Sequence, residues 1–431
     1  MRSQNILESE VVRCWQRQME SGHRTVTADG QPLEVLYPGR PNDCRGGDFR
    51  DAVILIGKDI KKGCIEIHSC TSGWQAHGHH VDPHYNQVVL HVVWQQDSTG
   101  NTLLEDGKSV PTIVLDRDLA AMEEEGKTLP CRGSQTPELG LFLERLGGAR
   151  LAEKAERFRL DIQKMEPDQA LYEGLLEALG YSKNKQPFLE LARRAPLKDL
   201  KLLMEDGGDQ IRVQSYLSGA AGLLPSQRGR EDGSESYVRE LESGWGKNGS
   251  IQPMSYRDWE LYKVRPGNYP VRRIMALSKI LFRFLRYGWL EAWRRVLGRA
   301  VREDSPVDLG ALLRVRAEGY WLCHYDFSLS QTGGGAWLLG RERAAEIVIN
   351  VILPFFTAWC RSQGETELGR GLERICRLYP PCETNSIQRH MLGQLKAEKG
   401  IVNSALRQQG LLHLYKTYCT HSRCLECLLY G

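Results

Sequence analysis

Residues 46–94 read GGDFRDAVILIGKDIKKGCIEIHSCTSGWQAHGHHVDPHYNQVVLHVVW. Three runs in this stretch have strand character: Ala52–Ile56 (AVILI), Cys64–His68 (CIEIH) and Val88–Trp94 (VVLHVVW). Apolar and β-branched residues fill them, and Gly, Pro, Asn and Asp punctuate the intervals. A continuous apolar run such as AVILI predicts a strand buried on both faces. The short GKDIKKG segment predicts a hairpin-like connection between the first two strands. The polar segment Trp74–His84 predicts a loop holding a helical turn.

The pattern extends outward from there. A helix is predicted over Ile6–Met19, and strands over Leu33–Tyr37, closed by Pro38-Gly39, and over Thr112–Leu115. After about residue 118 the apolar residues recur at helical spacing. This predicts helices over Leu139–Lys164, Leu171–Leu179, Phe188–Leu203, Arg272–Val301, Ala344–Arg361 and Leu368–Leu378. Residues 224–255 are rich in Gly, Ser and charge and read as a linker. The expected fold class is therefore α+β. A small N-terminal mixed α/β, nuclease-like sheet domain occupies 1–120. Helical domains follow at 121–223 and 256–431.

Composition narrows the function classes. No apolar run reaches the roughly 18 residues of a membrane span, and the N-terminus lacks the apolar core of a secretory signal. The expectation is a cytoplasmic chain with no membrane partner, whose twelve cysteines are mostly reduced thiols. Charge is uneven. Residues 1–130 carry 13 Lys/Arg against 19 Asp/Glu, and the remainder carries 44 against 35. Six of the eleven histidines fall between His68 and His91. An acidic, histidine-rich front and a basic rear predict that metal and anion contacts fall on different parts of the chain.

The front residues suggest chemistry. Asp48 precedes one strand, and Glu66 and His68 lie two apart on the next, hence on one sheet face, with Ile65 and Ile67 on the other. Ionisable groups in an apolar strand cost desolvation unless they are paired or bound to metal. Asp48 and Glu66 could hold Mg²⁺ or Mn²⁺, with His68 orienting the attacking water, deprotonating it or acting as a third ligand. A buried structural Asp–His pair is the alternative. His77, His79 and Asp82 are supporting candidates with transition-metal donor chemistry, set against a loop of exposed histidines. His91 reads as a satisfied strand histidine. Trp74 is a candidate base-stacking residue or a core anchor.

Two further segments qualify. The C-terminal Cys419, Cys424 and Cys427 form a C-x4-C-x2-C pattern, a candidate structural site for zinc or an iron–sulfur cluster. Reduced or redox-reactive thiols are the alternative. Residues 272–302 hold nine Lys/Arg and one acid, Glu291, interleaved with Phe282, Phe284, Trp289 and Trp293. Arg283, Arg286, Arg294 and Arg295 are candidate nucleic-acid contacts. A solvated helix face with its aromatics in the core is the alternative.

The order acidic residue, then Glu-x-(Lys or a substitute), resembles the PD-(D/E)XK restriction-endonuclease-like core. Gly47 stands where that core has Pro, and His68 where it has Lys. Over nearly the whole chain the sequence resembles the bacterial family named domain of unknown function 2851. Asp29-Gly30, Pro38-Gly39, Asp48-Phe49, Glu66-Ile67-His68, Trp74, His77-Gly78-His79, Asp82, Tyr85-Asn86 and Leu90-His91-Val92-Val93 carry the resemblance in front. Gly219-Ala-Ala-Gly222, Arg265-Pro266, Asn350 with Pro354, and Glu383 with Asn385 carry it further on. Gly73 stands where the family pattern has Asp. That family implies no activity. The functional expectation therefore rests on the residues: a metal-dependent nuclease or phosphodiesterase. The alternatives are a non-catalytic nucleic-acid or protein-binding scaffold and a histidine-based metallohydrolase.

Overall fold

The computed structural model describes residues 8–20, 25–42, 45–98, 102–116, 137–229, 235–246, 251–262, 264–284, 288–306, 308–327, 329–330, 336–395, 397, 400–419, 426–427 and 429. The chain divides into two compact units, Met1–Lys127 and Thr128–Gly431. The front is a mixed sheet domain and the rear is mostly helical, so the α+β class holds.

In the front unit the apolar runs become strands. They are β1 (Thr25–Val26), β2 (Pro32–Tyr37), β3 (Arg40–Pro41), β4 (Phe49–Ile56), β5 (Asp59–Cys70) and β6 (Val88–Gln95). The short β7 (Thr102–Leu103) and β8 (Ser109–Val110) pair with each other, and β9 (Thr112–Val114) completes the sheet. Its order is β1-β2-β4-β5-β6-β9, with β3 also on β4. The pairs from β1 to β5 are antiparallel, whereas β5–β6 and β6–β9 are parallel. A parallel neighbour requires a crossover, so residues 71–87 must pass over one face of the sheet.

That topology explains why Cys64–His68 is buried throughout. Ile65, Ile67, Leu90 and Val92 point to the face where helix α1 (Glu8–Glu20) buries Val11 and Trp15. Glu66, His68 and His91 point to the other face, under the crossover. There Trp74, Tyr85, Cys64 and Val88 form a separate apolar cluster. A bulge in β4 shifts the register between Phe49 and Ala52, with Asp51 at φ +60°. Such an insertion bends the strand, and here it lies directly after Asp48.

The rear unit buries one large core contributed by residues from Leu151 to Leu406. Three expectations need correction. Phe188–Leu203 is two helices, Lys185–Arg194 and Leu197–Glu205. Pro196 lacks an amide hydrogen and drives Ala195 out of helical geometry, to φ −119° and ψ 68°. Arg272–Val301 is also two, Pro270–Phe284 and Trp289–Arg302, with Gly288 at φ +82° before the second. The 224–255 stretch is not a bare linker. It carries the helix Ser236–Gly246, which buries Val238 and Leu241, because its few apolar residues fall on one helical face.

The helical stretch Arg341–Gln363 is long and apolar enough to cross a membrane by length and composition. However, 67% of its most apolar window is buried inside the protein, as in a core helix. A π-helical turn, Val348–Ile352, interrupts it.

Candidate metal centre

Strand β5 and the crossover bring four side chains together. Glu66 Oε1 lies 3.1 Å from His79 Nε2 and 3.6 Å from His68 Nε2. His68 Nε2 lies 3.1 Å from His77 Nδ1. One nitrogen from each of His68, His77 and His79 falls within 4.8 Å of the others, the single group with metal-ligand geometry among the described residues. Glu66, His68 and His79 are buried, and His77 faces solvent.

Local structure explains the convergence. Helix α2 (Gly73–Ala76) turns the chain back immediately after β5 and ends at His77. Gly78 takes φ +74°, which glycine adopts without strain, and starts the turn that carries His79 inward. The His79 ring stacks on Tyr85, with centroids 3.7 Å apart. Trp74 is buried edge-on to His79 and donates from Nε1 to the Leu103 carbonyl at 2.8 Å. The indole thus serves as an anchor beneath the histidines. Gly73 is required by close approach, since a Cβ there would stand 2.9 Å from the His68 ring.

Behind His68 runs a polar chain. His68 Nδ1 lies 2.9 Å from His91 Nε2, His91 Nδ1 lies 3.0 Å from Thr102 Oγ1, and Thr102 Oγ1 lies 3.1 Å from Thr112 Oγ1. Burial and the neighbouring imidazoles hold His68 far down, at about 2. Burial, with a smaller contribution from His79, holds His91 at about 4. Burial also lowers His79, opposed by the charges of Asp48, Asp82 and Glu8. Neutral imidazoles with a lone pair are the form a metal binds. His79 Nε2 is buried and makes no aligned hydrogen bond, although it faces the Glu66 carboxylate.

Asp48 and Glu66 are interlocked. The Asp48 amide donates to Glu66 Oε2 at 3.0 Å, and the Ile67 amide donates to Asp48 Oδ2 at 3.1 Å. Each carboxylate therefore spends one oxygen on the other's strand. Asp82 points elsewhere. It caps the turn Pro83–Tyr85, accepting from the His84 amide, and meets His84 Nδ1 at 2.8 Å and Arg45 at 3.2 Å. Its role is to shape the crossover, and it joins none of the donors described above.

The rear candidates are placed as follows. Arg294 and Arg295 are exposed and share Glu291 at 2.8 Å each. Arg283 is exposed and donates to the Arg314 carbonyl. Arg286 lies outside the described residues. Trp289 and Trp293 are buried in the core, and Phe282 and Phe284 pack against it, so these aromatics are core side chains. Cys419 and Cys427 pack against a small apolar cluster around Leu139 and Met391, and Cys424 lies outside the described residues.

Sequence reasoning missed Thr102 and Thr112 and met Tyr85 only as part of a family motif. The two threonines come from short strands with no distinctive pattern, and only the fold reveals that they extend the His68–His91 line. No curated protein matches the chain, and no solved structure matches it. A family model described as "Protein of unknown function (DUF2851)" matches residues 8–385. The motifs that build the histidine cluster fall inside that match, and the chain belongs to this family.

Proposed function

We propose that the front unit is a metal-dependent hydrolase. Its ion is a divalent transition metal held by Glu66, His68, His77 and His79. The observation that carries this reading is that one nitrogen each of His68, His77 and His79 lies within 4.8 Å of the others, with Glu66 Oε1 3.1 Å from His79 and 3.6 Å from His68. Donors about 2.0–2.1 Å from a tetrahedral ion stand about 3.3 Å apart. Imidazole donors favour Zn, Mn or Fe over Mg, which is why this reading prefers the histidine set to a hard-cation site built from Asp48 and Glu66 alone.

A bound ion at this position would lower the pKa of a coordinated water, which can reach it from the exposed His77 side. Asp48, whose charge is felt at His79, is the candidate base for that water. Phosphodiesters are the proposed substrate class. The support is the strand order: antiparallel β2-β4-β5, then parallel β6 after a crossover, with acids at the head of β4 and within β5. That strand order is compatible with the PD-(D/E)XK-like core that the sequence resembles.

Four protein donors also fill a tetrahedral shell, which favours a second reading, a closed structural site that pins the crossover. One experiment separates the two. Full-length protein, purified without chelator, is assayed for metal content and for cleavage of bis(p-nitrophenyl) phosphate and single-stranded DNA. One equivalent of metal, lost in His79→Ala, with cleavage lost in Asp48→Asn, supports the hydrolase. Metal without cleavage selects the structural site, and no metal overturns both.

A further inference from the structure

The rear unit contains a cavity of about 560 Å³, within the range that takes small organic ligands. Helix Pro137–Lys164 supplies Arg150, Lys154 and Arg157, and helix Ala405–Thr417 supplies Gln408 and Gln409. Asn350 enters from the π-helical turn Val348–Ile352. Glu383 and Asn385 line it as well, so with Asn350 three residues from two family-like motifs meet at one place.

The charges lining the cavity do not balance. Arg150, Lys154, Arg157, Lys185 and Arg343 face Glu177, Glu346 and Glu383, an excess of two positive charges. Arg157 pairs with Glu177 at 2.8 Å, Lys185 lies 3.9 Å from the same carboxylate, and Arg343 pairs with Glu346. Arg150 and Lys154 are held by amides instead. Arg150 Nε donates to Gln409 Oε1 at 2.9 Å. Lys154 Nζ donates to the same oxygen at 3.3 Å and also to Asn350 Oδ1. Asn350 is itself oriented by donating from Nδ2 to the Glu346 carbonyl at 2.7 Å. Among the described residues, no carboxylate lies within salt-bridge distance of Arg150 or Lys154, and the charge of Glu153 offsets only part of the burial cost at Arg150.

Half-buried cations are costly unless an anion compensates them. The strain is visible at Lys154, whose pKa is lowered to about 6 by burial and by Arg150, Lys416, Lys185 and Arg157. The π-helical turn points the same way, because such widened turns cluster at functional sites.

We propose that this cavity binds a phosphorylated small molecule, with its dianionic phosphate on Arg150 and Lys154. Arg150, with Lys154 taking up a proton as the anion enters, matches the charge of a phosphate monoester, and Arg with Lys is the usual donor set for phosphate oxygens. The remainder of the ligand lies along Ile347, Ile349 and Leu412, within reach of the amides of Asn385 and Gln408. The site lies wholly in the rear unit and does not depend on the metal centre.

The test is calorimetry and thermal shift on the full chain. The probes are inorganic phosphate, glucose 6-phosphate and the four ribonucleoside 5′-monophosphates. Glucose, the nucleosides and succinate serve as controls. The expected result is saturable binding of phosphate, tighter binding of at least one monoester, and no response to the controls. Lys154→Met and Arg150→Gln should each weaken phosphate by roughly ten- to a hundred-fold. Unliganded Lys154→Met should melt no lower than the parent chain, since burial and the neighbouring cations already disfavour an ammonium there. Phosphate binding unchanged in both variants, succinate matching phosphate, or a Lys154→Met chain that melts lower would each overturn the proposal.

Discussion

His91 is hydrogen-bonded to His68, with Nε2 of His91 standing 2.9 Å from Nδ1 of His68, both rings buried on the inner face of the parallel β5–β6 pair. With both rings neutral, the chain from His68 through His91 to Thr102 has only two proton polarities. When His68 donates from Nδ1, its Nε2 lone pair faces His77 and Glu66, and His91 passes its own proton toward Thr102. That polarity is the one a metal selects.

His91→Phe is therefore expected to weaken metal binding by roughly ten- to a hundred-fold, by removing the group that holds the His68 ring. Thr102→Val, one link further away, should weaken it less. Competition against a chromophoric chelator measures both. Affinity in His91→Phe equal to the parent would show that His68 needs no partner.

The stability of the unliganded front unit should fall in acid. In the unfolded chain a histidine takes a proton near 6.5, whereas folded His91 resists protonation until about 4 and folded His68 until about 2. Between those values only the unfolded state binds the proton, so folding weakens as pH drops below 6.5. His91 alone should cost on the order of 2–3 kcal/mol by pH 4. Urea unfolding followed through front-unit Trp15 and Trp74 between pH 7 and 4 reads the slope, and a flat profile would contradict the buried neutral rings.

Gly73→Ala places a methyl group against the His68 ring at 2.9 Å. The ring has little room to yield, because His91 and His77 hold its two nitrogens. About 1–3 kcal/mol of destabilisation is expected, together with looser metal binding. Chemical denaturation and metal titration of the same preparation check both effects.

In the rear, the Gly219-Ala-Ala-Gly222 motif has a packing explanation. A Cβ on Gly219 would stand 2.1 Å from the Trp245 ring, and one on Gly222, already at φ +67°, would stand 1.9 Å from the Met254 carbonyl oxygen. Gly222→Ala meets backbone at a left-handed position and should cost about 3 kcal/mol or more. Gly219→Ala displaces a side chain and should cost less. Thermal melts of the two variants rank them, and the reverse order would refute this account.

Much of the front was legible because the strands that carry the site are long and β-branched. Val88–Gln95 and Phe49–Ile56 lie where the apolar runs predicted them. Period two also put Glu66 and His68 on one face. The order of importance within the cluster was not legible. Asp48 looked like the leading ligand, yet its carboxylate accepts from the Ile67 amide, while a turn at Gly78 that periodicity does not encode carries His79 inward and leaves His77 on the solvent side. In the rear, helical spacing ran straight through Pro196 and Gly288, where local backbone chemistry ends the helices.

All four proposed metal donors fall between Glu66 and His79, a span of fourteen residues. Closing so short a loop costs little chain entropy, and contacts this local form early on the way to the native state. An ion captured there would act before the distant strands β2 and β9 are in place. It would nucleate the crossover during refolding, so metal should speed the folding of the front unit as well as hold the finished structure.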